Sequence, residues 1–117
     1  MNHKNLFTQV LLTEAKALEQ AAERFTDETA TQLVNIFEYL AQAGGSLVIC
    51  GVGKSGHISQ KIAATFSSLG LPSFFLHPTE AMHGDMGRVS KADAILFISK
   101  SGTTEEIINL MPYLNIP

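Results

Sequence analysis

Residues 46–69 read Ser-Leu-Val-Ile-Cys-Gly-Val-Gly-Lys-Ser-Gly-His-Ile-Ser-Gln-Lys-Ile-Ala-Ala-Thr-Phe-Ser-Ser-Leu, and this stretch decides the fold. A short apolar run, Ser46 to Cys50, predicts a buried strand. The glycine-rich turn Gly51-Val-Gly-Lys-Ser-Gly56 follows, and Ser55 to about Leu69 then places Ile58, Ile62, Phe66 and Leu69 at helical spacing. A second apolar run, Ser73 to Leu76, completes a strand–helix–strand unit.

Downstream, Ala92 to Ser99 predicts a third strand, and Thr104 to about Leu114 a further helix, with a loop before the third strand. A βαβ unit followed by a loop, a strand and a helix is the pattern of a parallel sheet covered by helices. Open sheets of this kind bind ligands beyond the carboxyl ends of their strands, where Gly51–Gly56 and Ser99–Thr104 lie. Upstream, Phe7, Val10, Leu11, Leu18, Ala22 and Phe25 predict one helix, and Leu33, Val34, Phe37, Leu40 and Ala41 a second. The polar break Thr26–Thr29 separates these helices, and the second ends near Gly44-Gly45. The chain thus divides into N-terminal helices over 1–43 and an α/β part over 46–117.

Composition narrows the function classes. With 117 residues, 45% hydrophobic and 16% charged, the chain holds one domain's worth of core. Its net charge of −3 and lack of a basic block argue against a nucleic-acid partner. No apolar run approaches the length of a membrane span, so a cytoplasmic protein is expected. Cys50, the one cysteine, has no partner for an internal disulfide and reads as a small buried hydrophobe.

Gly51, Gly53 and Gly56 satisfy G-x-G-x-x-G, but the carboxylate that would hold a ribose hydroxyl is missing from Leu71–His77. A Walker A loop fails as well, because position 48 is Val where its leading glycine belongs. What both loops offer is anion-binding chemistry without those motifs. Gly51 and Gly53 allow backbone N–H groups to approach an anion, Ser55 can cap the helix or donate to a ligand, and Lys54 sets a positive charge beside it.

Ser99, Ser101, Thr103 and Thr104 bring four hydroxyls into six residues, with Gly102 turning the backbone. Phosphate at a pair of strand-to-helix turns is the class of ligand these loops predict. Thr103-Thr-Glu-Glu106 also reads as a capping box, which would commit Glu106 to a backbone amide. Glu80-Ala-Met-His-Gly-Asp85 places an imidazole between two carboxylates; His83 could relay protons or hydrogen bond to Asp85, and the spacing is no metal motif.

These residues together resemble the sugar isomerase (SIS) domain family, most closely its D-arabinose 5-phosphate isomerases. The resemblance is carried by Gly51–His57, Lys61–Phe66, Pro72–Phe75, His77-Pro78, Glu80-Ala81, His83–Asp85 and Ser99-x-Ser-Gly102. It implies a three-layer αβα sandwich around a parallel sheet, and reversible conversion of D-ribulose 5-phosphate to D-arabinose 5-phosphate through an enediolate. That product feeds the eight-carbon acidic sugar Kdo of lipopolysaccharide or certain capsules.

By the same resemblance, Lys54, Glu106 and His83 are the active-site residues, and Gly53, Ser55, Ser99, Ser101 and Thr104 hold the substrate phosphate. No metal or other cofactor is implied, and the domain is expected to form homodimers or homotetramers. The family's pattern departs here at Thr103-Thr104, where a Glu-Ser or Glu-Thr pair is more usual. Family members also continue beyond the matched region into segments that add a glutamate and a histidine to the site. The chain is therefore read as truncated at its C-terminus and as an incomplete catalyst, with a non-catalytic sugar-phosphate-binding or regulatory module as the alternative.

Overall fold

The computed structural model describes residues 2–114. The last three residues of the α/β part predicted over 46–117 lie outside the described residues. The chain divides into two compact units, one up to Asn35 and one from Ile36.

The first unit contains helix α1 (His3–Arg24) and the opening turns of α2 (Asp27–Ala43). Asn2 caps α1, its side chain accepting the Asn5 amide at 3.3 Å. The polar break between the helices is itself a cap: Thr26 Oγ1 accepts the Thr29 amide at 3.1 Å, and Asp27 and Glu28 lie in the first turn, where the helix dipole favours negative charge. Described by itself, α1 has no buried residue.

In the second unit, alternation along strand β1 (Leu47–Gly51) builds the core. Side chains of a strand point to opposite faces in turn. Val48 and Cys50 join Leu76, Ala81, Val89 and Leu110 in one apolar cluster, while Leu47 and Ile49 join Leu40 and Ala63 in another. β1 is buried throughout because it is the central strand. β2 (Ser73–Leu76) and β3 (Ala94–Ile98) pair with it in parallel on either side, giving the order β2-β1-β3.

Helix α3 (Lys54–Ser68) and the end of α2 cover the Leu47–Ile49 face. The other face is covered by α4 (Pro78–Met82), a 3-10 turn (Asp85–Arg88) and α5 (Glu105–Leu110), which runs into a second 3-10 turn (Met111–Tyr113). This is the predicted α/β architecture, a parallel sheet flanked by helices. The connection expected as a loop between the second and third strands contains α4 and the 3-10 turn instead. The helix expected to reach about Leu114 ends at Leu110, before Pro112, whose missing N–H cannot continue it.

The amino end of the sheet is clamped. Asp93, 6% exposed, accepts the Ser46 amide at 2.7 Å and the Ser90 amide at 2.8 Å, tying the entrances of β1 and β3 together. Gly45 approaches so closely that a Cβ there would collide with the Ala92 carbonyl.

Candidate active site

The strand order creates the site. From β1 the chain turns onto one face of the sheet through α3, and from the adjacent β3 it turns onto the other through α5. A crevice opens where neighbouring connections diverge in this way. The register pairs Gly51 with Ile98, so the loop carrying Gly53, Lys54 and Ser55 and the loop carrying Ser99, Ser101 and Thr104 rise from adjacent strand ends.

In the first loop Gly53 adopts φ 60° and ψ −127°, a conformation that side-chain-bearing residues avoid, and takes the N-cap position of α3 without any side-chain cap. Of the two roles the sequence left open to Ser55, capping is therefore ruled out. The helix begins at Lys54, because a glycine at the turn supplies the backbone geometry that a serine cap would have supplied by hydrogen bonding. Ser55 sits in the first turn, and its carbonyl accepts the hydroxyl of buried Ser59 at 2.7 Å.

Glycine is also required where α3 presses on β1. A Cβ at Gly51 would lie 2.7 Å from Ser59 Oγ and 2.8 Å from the Ser55 carbonyl oxygen, and one at Gly56 would lie 2.9 Å from the Gly51 carbonyl oxygen. This approach sets the first-turn amides of α3 at the carboxyl end of β1, where they and the helix dipole favour an anion. Lys54 is exposed and forms no ion pair among the described residues.

The second loop is organised by its own hydroxyls. Ser99 Oγ and Thr104 Oγ1 are 2.6 Å apart, and Ser99 Oγ also accepts the Gly102 amide at 3.0 Å. Ser101 Oγ accepts the Thr103 amide at 3.1 Å and the Thr103 hydroxyl at 3.2 Å, while Gly102 turns the chain at φ 73°. These contacts bring the Ser99 and Thr104 hydroxyls together as one pair and the Ser101 and Thr103 hydroxyls as another.

The capping-box reading of Glu106 is also corrected. Thr104, not Thr103, occupies the N-cap of α5, it makes no side-chain cap bond, and the Thr103 amide is taken by Ser101. Glu106 is left exposed in the first helical turn, with no hydrogen bond or ion pair from its side chain to another described residue.

His83 terminates α4, its amide donating to the Glu80 carbonyl at 3.0 Å, and its ring is exposed. No side-chain hydrogen bond joins it to Asp85, whose carboxylate instead faces Arg88 at 3.7 Å. The Arg88 guanidinium lies 4.3 Å from the centre of the Phe74 ring. Sequence reasoning missed α4, and with it the capping contact of His77, whose Nδ1 accepts the Thr79 amide at 3.1 Å. The signal for that cap was Pro78, which favours the first position of a helix.

Cys50 is fully buried, and burial pushes its thiol up to about 11, in keeping with a packing role. Among the described residues no three His, Cys, Asp or Glu side chains gather as a metal site requires, and no helix is long and apolar enough to cross a membrane.

Comparison with known proteins adds relatives to this geometry. The family model described as "SIS domain" matches residues 39–115. The chain is 46% identical over 101 residues to arabinose 5-phosphate isomerase KdsD of Pseudomonas aeruginosa, covering 86% of this chain and 30% of the relative. It is 44% identical over 106 residues to KdsD of Yersinia pestis, covering 91% and 31%. Among solved structures, that of an Escherichia coli CFT073 protein in complex with arabinose 5-phosphate superposes with a TM-score of 0.78 at 42% identity, covering 97% of this chain and 60% of that one. The chain therefore spans about a third of the length of these curated relatives.

Proposed function

The chain belongs to the SIS-domain family, and from that premise we propose that it binds a five-carbon sugar phosphate and interconverts D-ribulose 5-phosphate and D-arabinose 5-phosphate. One observation carries the reading: two donor-rich loops flank the β1/β3 switch point, and Glu106 beside them is not committed to its helix cap. The relatives named as arabinose 5-phosphate isomerases, and the arabinose 5-phosphate complex of a similar structure, support the choice of sugar.

In this reading Gly53, Ser55, Ser99, Ser101 and Thr104 cradle the phosphate through backbone amides and hydroxyls, which fixes the carbon chain for reaction. Glu106 removes a proton from the carbon beside the carbonyl and returns one to its neighbour. Between these steps the electrons rest in an enediolate, whose negative oxygen Lys54 stabilises. His83 carries the proton exchanged between the two substrate oxygens. D-arabinose 5-phosphate then supplies synthesis of Kdo for lipopolysaccharide or capsule. The domain works as a homodimer or homotetramer, an arrangement favoured by an N-terminal helix that buries no residue of its own.

A coupled interconversion assay, run alongside calorimetric binding of D-arabinose 5-phosphate, tests the proposal on this chain. Wild type is expected to bind, and to turn over where the glutamate and histidine that family members supply from beyond the matched region are present. Glu106→Gln should keep its affinity and lose about a hundredfold or more in kcat, in the range for a general acid–base group. Ser101→Ala should weaken affinity about tenfold, as loss of one donor to a charged group does. A folded wild type that binds but does not interconvert would mean that these 117 residues hold the sugar-phosphate cradle but not the whole catalyst.

A further inference from the structure

We propose that His77 is a positioning residue: through Nδ1 it fixes the first turn of α4, and through that turn the placement of His83. The inference rests on the isomerase reading only for what His83 does.

His77 stands one residue beyond the end of β2, and Leu76 pairs with Cys50, so it lies level with Gly51 at the start of the first loop. It holds α4 by two separate bonds. Its carbonyl accepts the Ala81 amide at 2.9 Å, and its ring Nδ1 accepts the Thr79 amide at 3.1 Å. A backbone amide can only donate, so Nδ1 must carry a lone pair and the proton of the neutral ring must sit on Nε2. The ring meets Phe75 edge-on, with centroids 6.1 Å apart and planes at 81°, which restricts its rotation.

The helix so started is only five residues long, too short to hold itself together in water. Buried Pro78 and Ala81 anchor one side of it. From there the path to His83 is short: the His83 amide donates to the Glu80 carbonyl at 3.0 Å, and the Gly84 amide to the Ala81 carbonyl at 3.3 Å. Each acceptor belongs to the turn that His77 closes, so loosening the cap loosens the ring that follows it.

Asparagine and glutamine separate the two ring nitrogens. The Asn Oδ1 occupies roughly the place of Nδ1 and is a good N-cap acceptor, whereas the Gln side chain carries its polar atoms at the Nε2 distance. Three readouts on the 117-residue chain decide the matter: the His77 tautomer in wild type from two-bond nitrogen–proton correlations, exchange of the Thr79 amide, and the ring resonances of His83. The expected results are an Nε2–H tautomer, His83 resonances kept in His77→Asn and displaced in His77→Gln, and Thr79 exchange faster in His77→Gln by about fivefold, the size of one neutral hydrogen bond.

An Nδ1–H or doubly protonated ring in wild type at neutral pH overturns the proposal, and this measurement needs no variant to fold. So do His83 resonances unmoved in both variants, or kept by glutamine and lost with asparagine. None of these readouts requires turnover: a wild type that binds no sugar phosphate yet shows the expected tautomer and the expected difference between variants would sink the isomerase reading and sustain this one.

Discussion

At the scale of single residues, Cys50 shows how position in the sheet governs chemistry. Its thiol lies within the buried central strand, and removal from water raises it from an ordinary 9.0 to about 11. The folded state therefore favours the neutral thiol. Its contribution to stability is complete below pH 9.0 and is lost as pH rises through about 11. Urea unfolding compared between wild type and Cys50→Ala should show a gap that shrinks across that window and is constant below it. Burial of this residue was legible from the apolar run it ends. The roles of Ser55 and Glu106 were less so. Each matches a capping pattern, and patterns of residue type cannot tell which of two adjacent residues starts the helix. Gly53 at φ 60° and Thr104 at the N-cap settle those registers, and only three-dimensional packing decides them.

At the scale of elements, Asp93 invites the same kind of test, because one buried carboxylate serves two strands at once. Replacing it with alanine leaves the Ser46 and Ser90 amides without their acceptor. The expected cost is about 2–4 kcal/mol, from two bonds to a charged group and the amides left behind, read as a lower urea midpoint at neutral pH. Asp93→Asn should recover only part of this, since its amide nitrogen cannot accept from either N–H. The strands themselves were legible: Ser73–Leu76 forms β2 with the predicted limits, and the core of β1 follows its apolar run. Helix α4 was not, because five residues give a 3.6-residue period too little length to repeat. Asp93 was equally hidden, since it fell inside the run read as the third strand, and nothing marks it as a clamp until its two partners are brought round from position 46 and position 90.

At the scale of the whole molecule, stability is unevenly shared. β1 is buried at every residue and paired on both sides, while α1 buries none. Amide exchange should therefore be slowest in β1, following global unfolding, and fast in α1 in dilute protein. A second copy covering the apolar residues of α1 in the proposed oligomer should slow α1 exchange as protein concentration rises. The parallel, doubly wound plan could be read from the order of strand and helix signals, because few topologies satisfy that order. The sharing of burial could not, since Phe7 and Phe66 look equally hydrophobic in sequence.

The clamp at the amino end of the sheet, built from Asp93, Gly45 and Ala92, also bears on the opposite end. β1 and β3 stay in register over five residue pairs and are tied where they begin, so neither can slide along the other. The two ligand loops inherit their separation from neighbouring strands about 4.8 Å apart. In the proposed isomerase the crevice would be in effect a ruler: it would measure a substrate from its phosphate outward, and a sugar one carbon too long or too short would present the wrong carbon to Glu106.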